Sequence, residues 1–166
     1  MMKEYFFTKT KEQIPEEFVS LHDVQIERIL SRDNTVVLTC RNCYQVVKSG
    51  KVSFVKNGVI SIKGFSPSDY SCHVFYGKPT AAGEVLIGLP ISLEEMDCFL
   101  QESNTVIELF QEYYSPTGIL FKGNIFPLQI TLGGVSWKHV TIEIMENPTI
   151  EYTGLFCSDD QAGTET

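Results

Sequence analysis

The stretch Val140-Thr141-Ile142-Glu143-Ile144-Met145 puts Val140, Ile142 and Ile144 on one side of an extended chain, with Thr141, Glu143 and Met145 on the other. Side chains alternate faces with a period of two in a strand, so this is the pattern of a half-buried β-strand. The same period runs outward from it. Phe126, Leu128, Ile130 and Leu132 alternate with Pro127, Gln129 and Thr131, and Pro127, lacking an amide donor, favours a strand start or an edge. Residues 105–114 carry apolar groups on both faces, with Ile107, Leu109 and Tyr113 on one and Val106, Phe110 and Tyr114 on the other. Ser115-Pro116-Thr117-Gly118 is a turn, and Ile119-Leu120-Phe121 returns as the partner strand.

The first half reads the same way. Val24 and Ile26 alternate with Gln25 and Glu27, Asp33-Asn34 turns, and Thr35-Val36-Val37-Leu38-Thr39-Cys40 comes back. Two apolar runs, Lys51-Val52-Ser53-Phe54-Val55 and Val59-Ile60-Ser61-Ile62, flank Asn57-Gly58, and that dipeptide predicts a hairpin between them. Tyr70, Cys72, Val74 and Tyr76 share a strand face opposite Ser71, His73 and Phe75. Glu84-Val85-Leu86-Ile87 is a short apolar run after a turn region at 77–83, and Ile14-Pro15-Glu16-Glu17-Phe18 resembles one turn of helix.

Composition agrees with the patterning. The chain has 166 residues, 43% hydrophobic, with only three alanines against 41 valines, isoleucines and threonines. Alanine favours helix, whereas β-branched side chains suit a pleated, half-buried surface. One helix is predicted at about 92–103, where Ser92-Leu93-Glu94-Glu95 has the S-x-x-E spacing of a capping box. Leu93, Met96, Phe99 and Leu100 then share a face, and Asn104 can end the helix. The expected architecture is mainly β: an antiparallel sandwich or partly closed barrel of about nine or ten short strands with that one capped helix. A single β-rich domain is expected over residues 1–156, with 1–20 a loosely packed N-terminal segment and 157–166 a disordered acidic tail.

Net charge is −8, which argues against broad attraction to nucleic acid or anionic lipid. The charge is uneven. Residues 41–78 carry six basic groups and one acid, while 79–121 hold seven acids and neither Lys nor Arg. An acidic surface built from Glu94, Glu95, Asp97, Glu102, Glu108 and Glu112 would steer a basic partner. No apolar run approaches a membrane span or a secretory leader, and the odd count of five cysteines suits a reducing compartment, so the expected location is the cytoplasm.

Motifs that would carry chemistry are weak. Cys40-Arg41-Asn42-Cys43 is a C-x-x-C, but a structural zinc site needs two further ligands at matching spacing, and adjacent Cys72 and His73 point to opposite faces of a strand. His22, His73 and His139 have no nucleophile placed beside them by spacing, and no G-x-S-x-G elbow is present. The glycines form neither a dinucleotide fingerprint nor a P-loop. Glu108 and Glu112 fall on one strand face about 13 Å apart, too far for a glycosidase pair. No catalytic residue, metal ligand or cofactor is assigned. Tyr113, Tyr114 and Trp137 are aromatics that could line a barrel mouth.

Leu21-His22-Asp23-Val24-Gln25-Ile26-Glu27-Arg28-Ile29, followed by a polar turn and Thr35-Val36-Val37-Leu38, resembles the opening of small uncharacterised bacterial β proteins, some of them resembling immunity proteins of toxin–immunity systems. That family has no catalytic residues to transfer. In physical terms Leu21, Val24, Ile26 and Ile29 anchor the first strand, and His22 or Asp23 ties a loop through side-chain hydrogen bonds, as a structural feature or a possible site. The function expected is a non-catalytic cytosolic protein-binding module, conceivably an immunity-type inhibitor, whose acidic surface meets a basic partner. A homodimer through an edge strand such as 126–132 is compatible with it. The alternatives are a small-ligand-binding β-barrel and a cysteine- or metal-dependent enzyme.

Overall fold

A computed structural model describes residues 4–9, 17–66, 68, 70–115, 117–127, 131–132, 135–145 and 148–157. The strands are β1 (Glu4–Lys9), β2 (Glu17–Ser20), β3 (Gln25–Arg32), β4 (Thr35–Cys40), β5 (Tyr44–Lys48), β6 (Lys51–Lys63), β7 (Tyr70–Thr80) and β8 (Gly83–Pro90). Helix α1 (Leu93–Ser103) follows, then β9 (Val106–Ser115), β10 (Gly118–Phe126), β11 (Thr131–Leu132), β12 (Val135–Met145) and β13 (Thr149–Phe156). All 13 strands belong to one antiparallel sheet in the order β1-β13-β6-β4-β3-β9-β10-β12-β7-β8, with β5 on β6, β2 on β5 and β11 on β12. The described residues are mainly β with one helix, as the alternation predicts.

Short connections force that sheet to fold over. Strands β12 and β13 lie six places apart in the order, about 29 Å in a flat sheet at about 4.8 Å per strand. The chain has only four residue steps from Met145 to Thr149, a reach of about 14 Å. The sheet must therefore bend back on itself, with β13-β6-β4-β3 facing β9-β10-β12-β7. The bend is at β3 and β9, which share only the pairs Gln25↔Glu108 and Ile26↔Ile107. Tyr114 on β9 and Tyr152 on β13 meet across the interior, hydroxyl to hydroxyl at 2.7 Å, although β6, β4 and β3 separate their strands in the sheet. The result is a partly closed barrel around one apolar cluster that includes Ile26, Leu38, Ile60, Val74, Phe121 and Ile142.

Helix α1 fills the seam where β9 leaves β3. Its buried face is Leu93, Met96 and Leu100. Its polar side chains replace the missing strand: Asp97 Oδ1 accepts from the Ile29 amide at 2.7 Å, and Gln101 Nε2 donates to the Glu27 carbonyl at 2.8 Å. An open strand edge inside a fold needs such partners. The predicted capping box is present in both directions, between Ser92 and Glu95, and Asn104 ends the helix at φ 51°.

Among the described residues, four bulges break the two-residue rhythm, at Glu27, Asn57-Gly58, Phe110 and Lys138. The structure corrects several expectations. Asn57-Gly58 is not a hairpin: β6 runs straight through it. A type I′ turn needs positive φ at both central residues, and here only Asn57 has it, at 52°. Asn57 and Gly58 together oppose Gly154, and the Tyr44 ring packs where a Gly58 Cβ would stand. The true two-residue hairpin is Ser49-Gly50, at φ 50° and 75°, between β5 and β6. Residues 4–9 and 17–20 are strands, so the helical turn expected around residues 14–18 gives way at Glu17; residues 10–16 lie outside the described residues, as do 128–130 of the expected 126–132 strand and 158–166 of the expected tail. The turn expected at 77–83 narrows to Ala81-Ala82, because β7 continues to Thr80.

Candidate functional site

The six acids proposed from sequence are engaged unequally. Glu95 closes the capping box, and the amide and hydroxyl of Ser92 hold its carboxylate below the usual range. Asp97 binds the Ile29 amide and the Arg28 guanidinium, whose protonated form it stabilises in return. Glu108 accepts from Gln25 Nε2 at 3.0 Å. Glu112 accepts from the Leu21 amide at 3.1 Å and the Tyr114 hydroxyl at 2.8 Å. Glu94 and Glu102 are exposed on α1, without a hydrogen bond or ion pair among the described residues.

Glu108 and Glu112 do not share a face, contrary to the even spacing between them. The extra residue Phe110 shifts the register between Leu109 and Gln111. Ile107 and Leu109 point inward before the bulge; Glu112 and Tyr114 do so after it, and Tyr113 turns outward beside Lys122. The inward group is a polar chain inside an apolar shell. Glu112, Tyr114 and Tyr152 are linked hydroxyl by hydroxyl, and Tyr44 donates to the Thr153 carbonyl at 3.0 Å. Burial pushes all three phenols up in pKa, so they stay protonated donors.

Around Leu21-His22-Asp23, Leu21, Val24, Ile26 and Ile29 are buried as expected. The loop is tied differently. Asp23, at φ 64°, donates its amide to the Leu109 carbonyl at 2.8 Å, and the Asn42 side chain clamps the Asp23 carbonyl and the Gln25 amide. The side chains of His22 and Asp23 pair with each other at 3.0 Å while largely exposed.

The cysteines separate. Cys40 and Cys72 are buried, and burial pushes each thiol up to about 12, which leaves no thiolate nucleophile near neutral pH. Cys43 instead meets Cys157, Sγ to Sγ at 3.7 Å, a pairing that a gap of 114 residues hides from sequence. Among the described residues no three of His, Cys, Asp and Glu converge as metal ligands. A hollow of about 290 Å³ lies between residues 70–73 of β7 and residues 90–92 ahead of α1, with Glu95 at its rim. Its lining includes His73, Tyr70 and Ser71 beside the Cys72 thiol, which burial keeps protonated, and the Glu95 carboxylate, which is committed to the cap.

Strand β8 is an open feature of a different kind. It ends the sheet path and pairs with β7 alone among the described strands. Val85, Leu86 and Leu89 are 50, 49 and 43% exposed, far from the near-zero values of central strands. The Ile91 amide bonds the Cys72 carbonyl, so odd-numbered residues of this regular strand face β7, and Glu84, Leu86 and Gly88 turn their amides and carbonyls outward. The one charge on the strand, Glu84, is ion-paired with Lys138. Sequence gave β8 as an apolar run but carried no sign of its edge position, which only strand order sets. No protein-family model matches this chain, and no curated protein or solved structure matches it either.

Proposed function

We propose that this chain is a non-catalytic protein-binding module that takes an extended segment of its partner along β8. The observation that carries the reading is the exposed, apolar, outward-facing edge of that strand. Main-chain groups on such an edge supply affinity for an added strand, and alternate side chains supply selectivity. Val85, Ile87 and Leu89 lie on one face of β8 and Leu86 on the other, so the matching segment is apolar at alternate positions. Glu94, exposed on α1 just past the end of β8 and within a stretch that lacks Lys and Arg, favours a basic residue on the partner beside it. The odd cysteine count supports work in a reducing cytoplasm, and an immunity-type inhibitor is one form such a module would take.

The test is capture of the partner from lysate of the source cells by wild-type protein and by Leu86→Pro, at low and high salt. Loss of the wild-type partner with Leu86→Pro, and partial loss with salt, is expected. Equal recovery by both proteins refutes the β8 site, and recovery indifferent to salt refutes the acidic contribution.

A further inference from the structure

We propose that Cys43 and Cys157 are an oxidisable dithiol that closes into a disulfide and clamps the end of β13 to the β4–β5 corner. The two sulfurs already touch at 3.7 Å, so they close by less than about 2 Å to reach bonding distance. Cys43 sits in the connection between β4 and β5, where the chain turns the corner of the sheet. Cys157 is the first residue beyond β13 and is held by its amide to the Phe54 carbonyl of β6, 2.9 Å away. Both thiols are partly exposed, which admits a small oxidant; Cys40 and Cys72 are buried, and Cys98 is exposed on α1. Cys43 and Cys157 therefore combine contact with access. The C-x-x-C spacing points instead to Cys40, which faces the core.

The co-reactant is a low-molecular-weight disulfide such as oxidised glutathione. The Cys43 thiolate attacks one of its sulfurs, forming a mixed disulfide and expelling one thiolate. The Cys157 thiolate then attacks the Cys43 sulfur and expels the second. The two protons lost by the cysteines protonate the two released thiolates, and one disulfide has been exchanged for another. Burial and the neighbouring thiol disfavour the Cys43 thiolate, and Lys56 opposes them in part, so Cys43 rests as a thiol and exchange is run under mildly alkaline conditions. The bond would act where β13 makes its last pairings, Leu155↔Lys56 and Phe156↔Val55, and suppress fraying there. This inference stands apart from the reading of β8.

The experiment uses the full chain carrying Cys98→Ser, treated with oxidised glutathione at mildly alkaline pH and quenched with acid. The expected result is loss of two thiols under denaturing conditions, a mass lower by two hydrogens, and a Cys43–Cys157 cross-linked peptide. Amide exchange at residues 154–156 should slow severalfold and return to its starting rate with reductant. Glutathione adducts on both cysteines without a cross-link, or a cross-link from Cys43 to Cys40, overturn the site. A Cys43–Cys157 cross-link that leaves exchange at 154–156 unchanged overturns the clamp.

Discussion

Replacing Asp97 by alanine separates a structural acid from a partner-facing one. Its Oδ1 accepts the Ile29 amide at 2.7 Å, and Ile29 is 1% exposed, so that amide has little access to water. Alanine leaves the donor without its acceptor, a loss of about 1–3 kcal/mol for a buried group. The Arg28 contact goes as well, but the guanidinium is exposed, and an ion pair there adds little. A central value of about 2 kcal/mol corresponds to a fall of about 4–8 °C in unfolding midpoint for a domain of this length.

Asparagine provides the internal comparison. It keeps an oxygen acceptor for the Ile29 amide and gives up only the charge, so Asp97→Asn should recover most of the loss. Urea unfolding of wild type, Asp97→Ala and Asp97→Asn measures both steps, provided the denaturant slope is unchanged. If Asp97→Ala lies within about 0.5 kcal/mol of wild type, or if the two variants are equally destabilised, helix α1 is not standing in for a strand on β3. Asp97 would then be free to meet a partner.

Along β8, Leu86→Pro removes an outward-facing amide and should keep the unfolding midpoint near wild type, whereas Ile87→Pro removes a ladder bond to β7 and should lower it clearly; thermal melts of the pair check the assigned edge. Gly58→Ala puts a Cβ 2.5 Å from the Tyr44 ring, which is fully buried, and should cost about 1–3 kcal/mol in urea unfolding through overpacking. Ser92→Ala should cost about 1 kcal/mol by loss of the cap. The Glu95 pKa is lowered in the folded state, so its contribution is fully present above the ordinary carboxylate range and fades as pH falls through the folded value. The gap between wild type and Ser92→Ala should therefore narrow in acid, and a gap independent of pH would refute the pairing of Ser92 with Glu95.

What the sequence made legible is what repeats locally. The alternation of Val140, Ile142 and Ile144 becomes a buried row, and the S-x-x-E spacing becomes a reciprocal cap, because each depends on neighbours within a few residues. Leu21, Val24, Ile26 and Ile29 were recognisable as anchors for the same reason. The misreadings at Asn57-Gly58 and along β9 share one cause, a shift of phase. Val55 and Ile60 are both buried although five residues apart, since Asn57-Gly58 inserts an extra position. An apolar run that changes phase at Asn-Gly fits a reversal of the chain and a bulge equally well. The sign of φ at the glycine separates the two, and glycine permits both. Phe110 shifts the phase without any turn residue, so the faces of Glu112, Tyr113 and Tyr114 could not be assigned from spacing alone.

The candidate sites were less legible still, for a reason that follows from the topology. A sheet that folds back on itself sets its edges and corners by strand order, and order is fixed by contacts such as Tyr114 with Tyr152, made across the interior between residues far apart in the chain. The exposure of β8 is a property of its place at the end of the order: the same apolar run between two strands would be core. The acids show the converse. They were chosen for a run of like charge, yet four of the six hold hydrogen bonds within the fold, at the α1 cap, on the free edge of β3, across the β3–β9 pair and in the tyrosine chain. A carboxylate accepts several hydrogen bonds and suits unpaired amides, and a sheet with a seam has such amides to satisfy. Charge runs beside helix starts and strand gaps in β-rich chains are therefore to be assigned first to backbone amides, and only the remainder, here Glu94 and Glu102 on α1, to a partner.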